Sequence, residues 1–446
     1  MELWLGNFRY AYHRLRRSRG FTATVILTLV LGIGANTAIF SVVYGVLLKP
    51  LGYPQPQQLV VVRENIMPTD PDLPVNANHL VFWQQNSHSF NGIAALHVDS
   101  VPLGGAEPEE IEVAETTGNL FSVLGVHPRF GRGFLDSEEK PGHNDAVILT
   151  DALWRRRYNA DPQIAGKSIT LDGKPYRVVG ILPASFALPV SGSFRNKEGV
   201  QAFVPFGWGA DILEEIEGDH NYFSIARLKQ NTLLVQATAE LNNLQREISR
   251  RTPDKVSFTA TITPLQEYLT GASRHSLLLL LAGVGAVLLI GCVNIANLLL
   301  IRTASNAYES AIRIALGGTR RALFGSALAE PILLCVAGGV LGIMVAAFAV
   351  PILTRYAPPD LPLLGNVSLS WMVLGFAAAI SLFSALICAV IPAWQYAKAD
   401  PEPALRSNRR TATQSRSGRG VRDGLVVAEV ATSLALVLIA GLFVAS

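Results

Sequence analysis

Chemistry in this chain would have to come from its histidines, its carboxylates and one glycine-lysine turn. His79, His88 and His97 recur nine residues apart, a spacing that suits neither one helical face nor a tight metal clip. His127, His143, His220 and His275 are scattered, so these side chains read as surface or structural histidines, with no metal site expected. Glu107, Glu109, Glu110, Glu112 and Glu115 form an acidic run that reads as a solvated edge. Gly166-Lys167-Ser168 imitates the end of a phosphate-binding loop. That loop needs a further glycine five residues earlier, and position 161 is Asp. The segment also leads into a strand pattern and not a helix. A nucleophile elbow and a two-histidine zinc helix are both missing from the sequence. No catalytic residue, cofactor or metal ligand is therefore assigned, and no ATP-binding motif is found.

Polar residues inside apolar runs carry more information, because lipid makes them expensive. Glu330 and Glu429 lie near the ends of such runs, where they can snorkel or pair. Asn294 and Asn297 offer polar contacts within another. Gly34 and Ala38, then Ser41 and Gly45, place small residues four apart, which lets a second helix approach closely. Asn36, between them, can hydrogen-bond across helices. A continuous polar path across the bilayer is not visible, which argues against an ion or sugar conduit. One polar connector stands out. Glu309 and Arg313 sit four apart and can pair on one helical face, with Ile312, Ala315 and Leu316 on the other. Gly317-Gly318 stops that helix, and Arg320-Arg321 follow. This is either a docking element or a membrane-surface connector.

The elements that must position these residues are mostly membrane spans. Half of the 446 residues are hydrophobic and only 16% are charged, which is membrane composition. Apolar runs cover 21–48, 277–301, 324–353, 371–394 and 425–446. Each is about the length that crosses a hydrocarbon core. The first follows Arg9, Arg14, Arg16, Arg17 and Arg19, but it is too long for a signal peptide core and lacks a clear cleavage site. It reads as an uncleaved anchor. Basic residues crowd segments 1–20, 302–323 and 395–424, whereas the connector 354–370 holds only Arg355, offset by Asp360. The positive-inside rule then sets the first three in the cytoplasm and the last outside. The net acidic segment 49–276 falls outside, and nucleic acid is not an expected partner. Cys292, Cys335 and Cys388 all lie in apolar runs and read as small packing residues, leaving the external segment without a disulfide framework.

Segment 49–276 is long enough for a large α+β domain. A strand is expected over 58–63, helices over 79–85 and 119–124, and a short buried strand over 147–149. Thr150 caps a helix reading DALWRRRY, with Asp151 near its positive end. Asp172-Gly173 between alternating residues predicts a two-residue hairpin turn within 168–181. Leu234, Ala237, Leu241, Leu244 and Ile248 mark an amphipathic helix, with Gln236, Asn242, Asn243 and Arg246 facing away.

These motifs together resemble a known family. ESAIRIALGGTRR is similar to the cytoplasmic connector of FtsX-like permeases, the MacB branch of ABC transporters, with Tyr308 where that family commonly has Arg. TLVLGIGANTAIFSVVYGVLLKPLGYPQPQQLV resembles the opening helix of MacB-like permeases, and VNIANLLL also recurs there. The hairpin and its flanks resemble the MacB-like periplasmic core domain, and PAWQYAKADPEPALR resembles the closing signature of an FtsX-like permease domain over 277–406. The resemblance implies an α-helical transmembrane bundle plus a large α+β extracytoplasmic domain in the bacterial inner membrane. It implies a permease subunit that works by mechanotransmission, with a separate cytoplasmic ABC ATPase docking on Glu309, Ile312, Arg313, Leu316, Gly317 and Arg320. Membrane lipid is the other expected partner, with a second permease half or a homodimer beside it. The run 425–446 after a basic linker resembles the second unit of the duplicated permeases first recognised in acidobacteria, so the chain is expected to be the first half of one. The alternative is an ATPase-independent membrane-anchored sensor or scaffold that regulates a cell-envelope partner.

Overall fold

The computed structural model describes residues 2–67, 70–105, 108–190, 199–252, 256–305, 320–356 and 367–398, with 424, 427, 429–431 and 433–434. The chain divides into two compact units, Met1–Lys49 with Ser273–Ser446, and Pro50–Ala272. In the first, α1 (Glu2–Arg17) ends in a basic turn, Arg14, Arg16 and Arg17, and buries Ala11 and Leu15. α2 (Arg19–Val43) continues through a π-helical turn, Tyr44–Leu48.

The second unit is built on one mixed sheet. β1 (Leu59–Met67) and β2 (Asp70–Leu73) precede α3 (Ala77–Asn86), whose Asn76 side chain caps the first turn by accepting from two backbone N–H groups. β3 (Phe90–Leu103) and β4 (Glu109–Thr116) follow, then α4 (Leu120–Leu124), β5 (Phe130–Gly131) and β6 (Ala146–Leu149). α5 (Asp151–Tyr158) starts at Thr150, whose hydroxyl accepts from the Leu153 N–H. β7 (Ser168–Leu171) and β8 (Lys174–Ile181) form the expected hairpin, and Asp172 and Gly173 take positive φ of 49° and 73°. β9 (Ala202–Pro205), α6 (Ala210–Glu214), β10 (Phe223–Leu228), α7 (Leu234–Arg251) and β11 (Ser257–Pro264) complete the unit.

The strand order is β11-β1-β10-β3-β4-β9-β6-β8-β5. β3 holds the sheet together. Its first half pairs β10 and its second half pairs β4, so it runs through two separate cores. One core packs α3 and α7 on β1, β10 and β11, around Trp83, Leu241 and Phe258. The other gathers α5 with β4, β6, β7 and β8 around Leu149, Trp154 and Val178.

Two sequence expectations change here. The acidic run is not an edge: β4 lies between β3 and β9, with Ile111 and Val113 buried between its glutamates. Alternation puts Glu110 and Glu112 on the face opposite Ile111 and Val113, whereas Glu109 and Glu115 share the face of those two residues toward the ends of the strand. Asn242 does not face away either. Its side-chain amide donates to the Ala260 carbonyl at 2.9 Å and accepts from the Ala260 N–H at 3.0 Å, so it zips α7 to β11.

α8 (Leu265–Ser305) begins well before its apolar run, since nothing after Pro264 breaks a helix and Leu265 and Leu269 are buried. α9 (Arg320–Tyr356) contains Pro331 and Pro351, and α10 is Trp371–Lys398. Among the described residues, four helices are long and apolar enough to cross a membrane: Arg19–Leu48, Leu265–Arg302, Leu328–Tyr356 and Trp371–Ala389. Leu31, Val287, Phe348, Trp371 and Leu382 are exposed on them, faces that suit lipid.

Candidate functional site

In the helical unit, α2 is the hub because its small residues face its neighbours. A Cβ on Gly34 would sit 3.1 Å from the Gly342 carbonyl of α9, and one on Gly32 would meet Leu288 of α8. Asn36 is buried and donates both to the Gly32 carbonyl at 2.8 Å and across to the Val284 carbonyl of α8 at 2.9 Å. Ser41 is buried, but its hydroxyl donates within α2, to Thr37. Gly45 abuts Val367, where an added Cβ would come within 2.9 Å. Asn297 leaves its side-chain oxygen buried without a hydrogen-bond partner among the described residues. Asn294 instead donates to Glu429 at 3.0 Å, so two residues singled out separately in the sequence meet. The three cysteines are buried, and the Cys388 thiol faces the Cys292 carbonyl at 3.7 Å.

Glu330 anchors a second cluster, invisible in the sequence because its members come from three elements. Arg14 of α1 reaches it at 2.9 Å, and Arg302, near the end of α8, stands 4.0 Å from its other oxygen. Arg302 also donates to Ser18 at 2.8 Å and lies over the Phe21 ring at 4.8 Å. Glu330 is only 7% exposed, which makes this shared carboxylate the electrostatic link among α1, α8 and α9. Glu309, Ile312, Arg313, Leu316 and Gly317 lie outside the described residues. Arg320 opens α9, and the described helices that flank the connector are therefore the two that Glu330 joins to α1.

The sheet unit holds a third cluster. Glu64 on β1 and His79 on α3 are fully buried and 2.6 Å apart, and His220 stands 3.0 Å from the other Glu64 oxygen. Gln245 of α7 donates to Glu64 at 2.7 Å, and the Asn76 N–H donates at 3.1 Å. Burial pushes the Glu64 carboxyl up, but the charges and hydrogen bonds of His79 and His220 outweigh it and hold it down at about 2. Of the two readings given to these histidines, surface or structural, His79 takes the second: it is fully buried and shares a carboxylate with His220. The missed signal was periodicity. Glu64 stands in step with Val60, Val62 and Ile66 on the inward face of β1, and His79 lies four residues before Trp83 on the buried side of α3. His88 and His97 stay out of this cluster, and His97 contacts the Asn221 carbonyl at 3.0 Å near the surface. Lys167 pairs with Asp161 at 2.8 Å at the entrance to β7.

Fold and sites define a polytopic helical membrane protein carrying a mixed α+β domain between its first two spans. A MacB-like periplasmic core domain matches residues 22–244, and an FtsX-like permease C-terminal domain matches 277–401. The chain belongs to the MacB/FtsX-like ABC transporter permease family, and its sheet unit is of the family's periplasmic type. Among similar proteins is the macrolide export ATP-binding/permease protein MacB of Campylobacter jejuni, 23% identical over 297 residues, covering 66% of this chain and 44% of that one. MacB of Neisseria meningitidis is 24% identical over 287 residues, covering 64% and 42%. The chain thus spans less than half the length of these curated relatives. Among solved structures, the periplasmic region of MacB from Actinobacillus actinomycetemcomitans aligns with TM-score 0.36 at 14% identity, covering 51% of this chain and 98% of that one. A domain of a permease protein from Porphyromonas gingivalis aligns with TM-score 0.36 at 15% identity, covering 48% and 91%.

Proposed function

We propose that this chain is the permease subunit of an ABC-type assembly in which a separate cytoplasmic ATPase moves the periplasmic domain by mechanotransmission. The carrying observation is Glu330. It ties the basic α1 to the two helices that flank the connector, so a force on that connector is felt by all three at one carboxylate. In this reading α1 and the connector face the cytoplasm, and the ATPase docks on Glu309, Ile312, Arg313, Leu316, Gly317 and Arg320. Assembly as a homodimer or with a second permease half belongs to the same proposal.

The test is to purify the intact protein from its native membrane, identify co-purifying subunits and assay ATP hydrolysis, with Arg313→Glu alongside. A nucleotide-binding subunit that is lost in the variant supports coupling through the connector. Unchanged partners in the variant, with no such subunit in either preparation, would overturn ATP coupling and favour a membrane-anchored sensor or scaffold.

A further inference from the structure

We propose that Glu64, His79 and His220 form a binding site for one zinc-type divalent cation within the sheet unit. Their ligand atoms all lie within 4.8 Å of one another and come from three places in the fold: β1, α3 and the turn before β10. Two imidazoles and a carboxylate are a donor set that Zn²⁺ accepts readily, leaving a fourth position for water or another oxygen.

Several features favour an ion over a purely hydrogen-bonded triad. The side-chain exposures of Glu64 and His79 are 0%, and that of His220 is 10%. A carboxylate so deep in an apolar core requires a compensating cation or proton. The hydrogen bonding is also incomplete. Among the described residues, His79 Nε2 and Gln245 Oε1 are buried without a hydrogen-bond partner, while His220 Nε2 stands 3.0 Å from Glu64. Buried polar atoms in native proteins are rarely left this way, and the Gln245 oxygen beside Glu64 points to a missing binding partner. An ion would take the ring nitrogens that face Glu64, Nδ1 of His79 and Nε2 of His220, with the Gln245 oxygen placed nearby to ligate it or to hold its water.

The supporting shell is built as metal sites require. Gln245 and the Asn76 N–H both hold the carboxylate, and the Phe258 ring packs 4.7 Å from His79 and 6.1 Å from His220. Such contacts fix ligand orientation and exclude water. Tetrahedral bonds of about 2.0–2.1 Å separate ligand atoms by about 3.3 Å. Metal entry therefore widens the 2.6 Å Glu64–His79 contact by a fraction of an ångström, within reach of side-chain rotation.

The ion would clamp the turn before β10 onto the α3–α7 core. That turn is also held by the Val75–Tyr222 bridge, by the contact of His97 with the Asn221 carbonyl and by Asn76, whose amide donates to the Glu215 carbonyl at 3.2 Å.

The test uses the full chain in detergent, stripped with chelator, desalted and titrated with ZnCl₂ while binding and thermal unfolding are followed. One tight equivalent and a raised Tm are expected. His79→Ala and His220→Ala should each weaken Zn²⁺ binding about 100-fold or more, and Gln245→Ala about 10-fold. Because a ligand variant can fail to fold, zinc K-edge absorption on the wild type provides an independent reading. Imidazole scattering with N/O bonds near 2.0–2.1 Å supports the site. A wild type without stoichiometric zinc, or a folded His79→Ala/His220→Ala double variant that binds zinc as the wild type does, would overturn it and leave a hydrogen-bonded triad.

Discussion

Arg14 on α1 meets Glu330 on α9 at 2.9 Å, joining residues more than three hundred positions apart in the chain. The pair is part-buried, and Arg302 shares the carboxylate. Removing the acid alone leaves two arginines facing each other across an apolar surround. Glu330→Gln is therefore expected to lower stability by roughly 1–3 kcal/mol, the scale of a charged hydrogen bond lost from a buried site. Arg14→Glu and Glu330→Arg should each be destabilising, and the double swap should recover part of the loss. Thermal unfolding of the four proteins in one detergent measures the coupling. Additive losses in the double variant would mean that the two side chains do not interact.

The approach of α2 to α9 rests on missing side chains. Gly34 and Gly342 face each other, and a Cβ on Gly34 would lie 3.1 Å from the Gly342 oxygen. Gly34→Ala should be tolerated with a small loss, since the contact must give by only a few tenths of an ångström. Gly34→Leu must separate the helices and should cost several times more. Unfolding temperatures in lipid nanodiscs check the ranking. Equal effects of Ala and Leu would show that this contact is loose.

Much of the sheet unit was legible because local rules agreed with the final fold. Thr150 capped its helix, Asp172-Gly173 turned its hairpin, and the three-four spacing from Leu234 to Ile248 marked α7. What stayed hidden was set by long-range pairing. β3 gives no clean alternation because it crosses from one core to the other, changing the partner behind each residue. The polar contacts of Asn242 depend on β11, which arrives later in the chain. The buried cluster at Glu64 needed His220, and no local pattern links positions so far apart. In the helical unit, Asn36 drew notice as a polar residue in an apolar run, but its partner is a backbone carbonyl of α8, which leaves no mark in the sequence.

Acid should weaken the sheet unit through Glu138. Arg132 holds that carboxylate through two hydrogen bonds, at 2.6 and 2.8 Å, and the Leu135 N–H donates at 2.9 Å. The Arg132 hydrogen bond keeps the Glu138 carboxyl below the usual carboxylate range; burial opposes it, and the Leu135 N–H and the Arg177 charge add to it. A folded-state value below the unfolded one means the stabilisation is fully present above about pH 4.3 and fades as pH falls through the folded value. Glu138→Gln should then cost roughly 1–2 kcal/mol at pH 7 and progressively less toward pH 3. Urea unfolding of both proteins across that range measures the gap. A gap that stays constant with pH would remove the carboxylate charge from the account.

Backbone position, finally, separates two glycines that look alike in conformation. Gly131 and Gly166 both have positive φ, 75° and 90°. At Gly166 an added Cβ would meet nothing within 4 Å, so Gly166→Ala tests the left-handed backbone alone. At Gly131 the same Cβ would collide with the Val179 carbonyl oxygen, inside the pairing of β5 with β8. Strain from φ alone should make Gly166→Ala lose on the order of 1 kcal/mol. Gly131→Ala must add the opening of a strand pair to that strain, since the obstacle is backbone and cannot rotate aside. Its loss should be at least about twice as large, with faster amide exchange at Val179 and Gly180 as the local signature. Matching losses, with exchange at those two amides unchanged, would show that β5 moves away freely and that its contact with β8 contributes little to the domain.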